Sequence, residues 1–108
     1  MGRILIGMAY LGEAIDAHLV SALGDDPVLL RELRRAFLDS ALGALDLLQR
    51  ARCDANWMQA AQRLKGLAAT FHGTELIALA DDAMAGAPGD PAILRRIRAL
   101  LREIDPLA

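Results

Sequence analysis

The chain of 108 residues contains one cysteine, Cys53, and few aromatic side chains: two Phe, one Trp and one Tyr. A single cysteine excludes an internal disulfide and fits a reducing compartment. Val, Ile and Thr together number only eleven, too few β-branched residues for a fold built on sheets. Charge of one sign is lacking as well: 12 basic residues against 14 acidic ones leave a net charge of −2. There is therefore no electrostatic footprint for nucleic acid. The longest stretches without a charged side chain, Ile4 to Gly12 and Gly66 to Thr74, are nine residues each, far short of the roughly 18 that cross a bilayer. No long apolar region follows Arg3, and Glu13 and Asp16 interrupt the start. A secretory signal is not expected there, and a cytoplasmic location is.

Alanine and leucine fill the gap, with 21 and 20 copies. Both are strong helix formers. With 55% hydrophobic residues, the chain offsets the entropy of ordering its backbone, so disorder is excluded, and its length allows one core. The expected organisation is an N-terminal extension over 1–8, left without structural assignment, one helical domain over 9–105, and a short tail at 106–108.

Turn chemistry divides that domain. Gly24-Asp25-Asp26-Pro27 reads as a C-cap glycine, an Asp N-cap and a first-turn proline. Around Arg52 to Asn56 one helix ends and another begins, with Asn56 as N-cap and Gln59 returning the bond in a variant of the capping box. His72-Gly73-Thr74 supplies a left-handed glycine and an N-cap threonine. Gly86 to Pro91 ends with an Asp cap and a proline. Between these points apolar residues recur at helical steps. They are Ile15, Leu19 and Leu23; Leu30, Leu33, Phe37, Ala41, Ala44, Leu48 and Ala51; Trp57, Ala61, Leu64, Ala68 and Phe71; Leu76, Leu79 or Ala80, Ala83 and Ala87; and Leu94, Ile97, Leu101 and Ile104. The pattern predicts an all-α fold. The expected architecture is an antiparallel up-and-down four-helix bundle of helices 27–52, 56–72, 74–86 and 91–104, with a short additional helix near 13–23.

The third helix in chain order, 56–72, is the informative one. With Ala61, Leu64, Ala68 and Phe71 inward, Gln62 lies about 100° further round, and Lys65, Gly66 and Ala69 follow it on one exposed face. Lys65 is the only lysine; the other eleven basic residues are arginine. A mid-helix glycine costs about 1 kcal/mol relative to alanine. Its use here is either a bare patch for another protein's backbone beside an ammonium, or a seat for a closely packed neighbouring helix.

The segment Ala61-Gln62-Arg63-Leu64-Lys65-Gly66-Leu67-Ala68-Ala69-Thr70-Phe71 resembles the signature of histidine-containing phosphotransfer (HPt) domains. There a phosphoacceptor histidine is followed by x-Leu-Lys-Gly, small residues and a glycine ten positions on. Upstream, Leu23 to Leu33, Phe37 and the entry from Asp54 to Trp57 are similar to the family's second helix and turn. The resemblance covers about residues 13 to 104. It implies a four-helix bundle that acts in two-component phosphorelays by docking receiver domains of response regulators or hybrid kinases. The implied docking surface and former phosphate environment comprise Met58, Gln59, Gln62, Arg63, Lys65, Gly66 and Ala69.

The acceptor position departs from the family, because Gln62 stands where the histidine should be. A carboxamide nitrogen has its lone pair delocalised into the carbonyl, so it lacks the nucleophilicity of an imidazole. The family's later glycine is replaced by His72, with Gly73 one residue beyond. The expectation is thus a non-enzymatic, monomeric docking module, either a natural degenerate member or a His-to-Gln variant, with no cofactor or metal. The alternative is a helical interaction or homodimerisation module in which Gly66, Ala68 and Ala69 mediate close packing.

Other residues offer less. His72 lies about 15 Å along the axis from position 62 and is expected to cap the helix or face solvent. His18 is expected to be an ordinary boundary residue, with no second histidine spaced for a metal. Cys53 has no adjacent base. Arg95, Arg96, Arg98 and Arg102, with Asp81 and Asp82, are expected to form a solvated face with weak ion pairs.

Overall fold

The computed structural model describes residues 16–22, 24 and 26–105, and among them the chain is all-helical with no strand. Residues 16–22 are helical and form α1. The remaining helices are α2 (Pro27–Arg50), α3 (Asp54–Thr70), α4 (Thr74–Ala85) and α5 (Pro91–Leu101). α2 packs against α3 and α5, and α4 packs against the same two helices. The expected helix over 13–23 is seen across 16–22; Ile15 and Leu23 lie outside the described residues, as do the segments 1–8 and 106–108.

Two of the predicted turns are built as their residues dictate. Gly24 takes φ +88°, a left-handed conformation available to glycine at little cost, and its N–H bonds the Val20 carbonyl at 2.9 Å. The Asp26 carboxylate accepts from the N–H groups of Val28 and Leu29 at 3.0 and 3.4 Å, with Pro27 in the first turn. At the start of α5 the Asp90 carboxylate accepts from Ala92 N–H at 2.9 Å and Pro91 follows it. Each cap satisfies donors that have no partner within the helix.

The other two junctions differ from expectation. α3 begins at Asp54, with Cys53 as its N-cap and no side-chain cap bond, so Asn56 and Gln59 do not form a capping box. The reason is that Trp57 N–H already bonds the Cys53 carbonyl at 3.1 Å, closing the first helical turn before Asn56. Asp54 then lies in that turn, where a carboxylate meets the positive end of the helix dipole. At the α3–α4 junction Gly73 is not the left-handed residue. His72 is, at φ 59°, while Gly73 has φ −82° and is itself the N-cap of α4. Gly73 N–H bonds Ala68 O at 2.8 Å and His72 N–H bonds Ala69 O at 3.2 Å, the paired bonds of a Schellman end. His72 thus takes the backbone role that the resemblance assigns to glycine, at a left-handed cost of about 1–2 kcal/mol. The helices also stop short of the predicted ends at 52, 72, 86 and 104.

The core contains Leu19, Phe37, Leu38, Leu45, Leu48, Trp57, Leu64, Leu76, Ile93, Ile97, Leu100 and Leu101 together with eight alanines, and no polar side chain is buried among the described residues. Leu30, Leu33, Phe71, Leu79, Leu94 and Ile104 pack half-buried at its edge. Ala87 lies exposed in the α4–α5 linker, not on the core face. Alanines at 60, 61 and 68 on α3 and at 80 and 83 on α4 let backbones approach closely and leave the few large side chains to fill the space.

Trp57 is the largest of these, and its indole N–H donates to the Ala83 carbonyl at 2.7 Å in a buried bond. Ala83 O also accepts from Gly86 N–H at 3.2 Å, so it keeps a partner if the indole is removed. Trp57→Phe should therefore destabilise the fold by about 2 kcal/mol, through the void and the lost bond. Urea unfolding measures it; a loss below about 0.5 kcal/mol would contradict the packing role assigned to Trp57.

Candidate functional site

Helix α3 turns Trp57, Ala60, Ala61, Leu64 and Ala68 inward, and that choice decides what faces out. Met58, Gln59, Gln62, Arg63, Gly66 and Ala69 are exposed and Lys65 is half-buried. The seven residues expected from the sequence thus occupy one outward sector of α3, in three groups. Gln59, Gln62 and Arg63 line an open groove between α3 and the end of α2, whose other wall includes Leu47, Arg50 and Ala51. Met58, Gly66 and Ala69 stand outside that groove's lining. Lys65 is on the opposite side, toward α4.

Lys65 has a partner that sequence spacing did not pair with it. Its Nζ lies 2.7 Å from Oδ1 of Asp81 on α4, with both side chains close to half exposed. Surface pairs of this kind contribute roughly 0–1 kcal/mol, so the contact orients the ammonium without locking it. Asp82 pairs with Arg96 at 3.8 Å and Arg98 donates to the Gln49 side chain at 3.5 Å, as a solvated face with weak pairs requires. Between α4 and α5, Glu103 has its carboxyl pushed above the ordinary range, first by partial burial and then by the nearby Glu75 carboxylate.

Gly66 has no use within the chain. A Cβ built on it meets nothing within 4 Å, and no positive φ requires glycine there. Its carbonyl accepts from the Thr70 hydroxyl at 3.0 Å, a bond any residue at 66 allows. Close packing of a neighbouring helix of this chain is therefore not what Gly66 serves. Gly43 on α2 is equally exposed and open. Sequence reasoning missed Leu47, which is 40% exposed. The available signal was a leucine one step off the Ala44–Leu48 core stripe, on the polar side of α2.

His18 is half-buried and His72 exposed at the end of α3, as expected, and the two rings meet, a contact that sequence spacing did not indicate. The His18 and His72 rings stack with centroids 4.3 Å apart, and the His18 and Phe71 rings meet in a T-shape with centroids 6.2 Å apart. No group of three metal-ligating side chains occurs among the described residues. Cys53 is exposed at the α3 N-cap.

Because the space above Gly66 is open, Gly66→Ala should stabilise the protein by about 1 kcal/mol, read as a higher denaturation midpoint with an unchanged slope. A destabilised variant would reveal a contact that the open space denies. In comparison with protein-family models, curated proteins and solved structures, the chain matches none.

Proposed function

We propose that this chain is a two-component signalling module of HPt type, an antiparallel four-helix bundle with an added N-terminal helix, that docks a receiver domain through the α3 face around Gln62, Lys65 and Gly66. It acts by occupying the receiver and does not carry phosphate, because Gln62 stands where the acceptor imidazole would be. The observation that supports this most is the open mid-helix Gly66. It weakens the helix, serves no contact within the chain, and lies one turn from Gln62 in the Leu64-Lys65-Gly66 segment that carries the resemblance. Bare backbone beside an ammonium admits a partner's loop at close range, and the exposed Met58 and Leu47 supply apolar contact at its margins. No helix among the described residues is long and apolar enough to cross a membrane. A cytoplasmic site of action follows only from the receiver partners proposed here.

Gly66→Arg tests the face. The open space accommodates the side chain in the free protein, so helicity and thermal stability should hold while affinity for the receiver falls at least about tenfold, the scale of one interface centre. Unchanged affinity in a folded variant would overturn the proposed face. Sedimentation of the unmodified chain separates the alternative: a stable homodimer broken by arginine at 66 would replace receiver docking with self-association.

A further inference from the structure

We infer that the cleft between the first half of α2 and the end of α5 is a second docking site, which takes an acidic segment of a protein partner in which carboxylates flank an apolar side chain. The site is independent of the α3 face and stands whether or not that face docks a receiver.

Three guanidinium groups crowd this cleft. Arg31, Arg34 and Arg35 line it from α2, and Ile104 and Asp105 line it from just beyond α5. At spacings of three and four residues the three cations share one side of the helix and repel one another, at a cost to α2. Carboxylates of the chain do little to offset that cost. Arg31 and Arg35 are exposed and make no ion pair among the described residues. Glu32, also in the lining, pairs with neither.

Arg34 supplies a second, independent observation. It stands one turn before Leu38, in line with the buried stripe of Leu38, Ala41, Leu45 and Leu48, where a core-facing helix ordinarily carries another apolar residue. Its Nε is shut off from water and has no hydrogen-bond partner. The Asp16 carboxylate stands 3.7 Å away, beyond hydrogen-bond reach. A buried donor without an acceptor is rare in folded proteins. The side chain as a whole is 36% exposed, so it can turn to meet a carboxylate that enters the cleft. The forked guanidinium then binds through two N–H groups.

The walls select the kind of anion. The cleft has a volume of about 420 Å³, and Leu38 and Ile104 give it an apolar lining. Glu32 and Asp105 set two carboxylates against the three guanidinium groups. They repel a continuous polyanion such as nucleic acid, whereas the separate carboxylates of a peptide pass between them and an apolar side chain rests on Leu38 and Ile104. The site is also apart from the groove beside Gln62. Arg35 and Leu47 are separated on α2 by twelve positions, about 18 Å along the axis and roughly 120° round it.

The test titrates the isotope-labelled whole chain with the peptide Gly-Glu-Glu-Leu-Glu-Glu-Gly and follows amide shifts. At low ionic strength the shifts should centre on Arg31, Arg34, Arg35 and Ile104, leave Gln62 and Gly66 unmoved, and shrink as salt is raised. The Gln-for-Glu peptide should bind at least about tenfold more weakly. Arg31→Gln combined with Arg35→Gln, both exposed, should lower affinity for the acidic peptide at least about tenfold at unchanged helicity. Arg95→Gln combined with Arg96→Gln removes as much charge elsewhere and should leave that affinity unchanged. Equal losses in the two double variants would reveal diffuse attraction and overturn the site. No shift at the cleft, or displacement of the peptide by a short DNA duplex or anionic lipid vesicles at matched charge, would overturn it as well. None of these outcomes touches receiver docking at α3.

Discussion

The buried bond from the Trp57 indole to the Ala83 carbonyl, 2.7 Å long, sets the rotation of α3 about its own axis, and the rest of the candidate site depends on that rotation. The indole projects from the first turn of α3 into the side of α4 near its end. A rotation large enough to bury Gln62 would pull the N–H off its acceptor and leave a buried donor unsatisfied, a cost of about 1–3 kcal/mol. Leu64, about two turns further along, is fully buried in the same core. With both anchors in place, Gln62, Gly66 and Ala69 must face out.

The economy of the core has a consequence for the surface. Eight of the buried side chains are alanine, so helices approach closely and a few large residues fill the remaining volume. Such a core takes little from the outward sector of α3, where glycine and alanine are then free to remain small for a different purpose. The face is not left as bare charge either, since Asp81 engages Lys65 and Asp46 engages Arg50 at 3.3 Å. A partner meets cations that are positioned but weakly held.

Much of this was legible in the residues, and what was not has identifiable causes. Asp26-Pro27 and Asp90-Pro91 state their helix starts outright, because an Asp cap and a proline at N1 agree with each other. Spacing placed Trp57, Ala61, Leu64 and Ala68 inward, and with them the outward set. The Asn56 cap failed because the first turn closes earlier, with the Trp57 N–H on the Cys53 carbonyl, and leaves Asn56 inside the helix. Gly73 was misassigned because glycine is the usual left-handed residue, whereas here the Schellman bonds fall one position earlier and His72 takes the strain. The Lys65–Asp81 pair and the His18–His72 stack join residues distant in sequence, and helix periodicity specifies a face but not its neighbour. Leu38 and Leu45, core residues outside the predicted stripe, reflect a helix packed between two partners, α3 and α5, which widens the buried sector beyond one row.

The docking claim is tested most directly by mapping amide chemical shifts of the isotope-labelled chain as a receiver domain is added. The perturbed residues should cluster on Met58, Gln62, Lys65, Gly66 and Ala69, with extension to Leu47 across the α2–α3 groove, and leave the arginines of α5 unmoved. Perturbations centred on Arg95, Arg96 and Arg98, with the α3 face silent, would contradict the account.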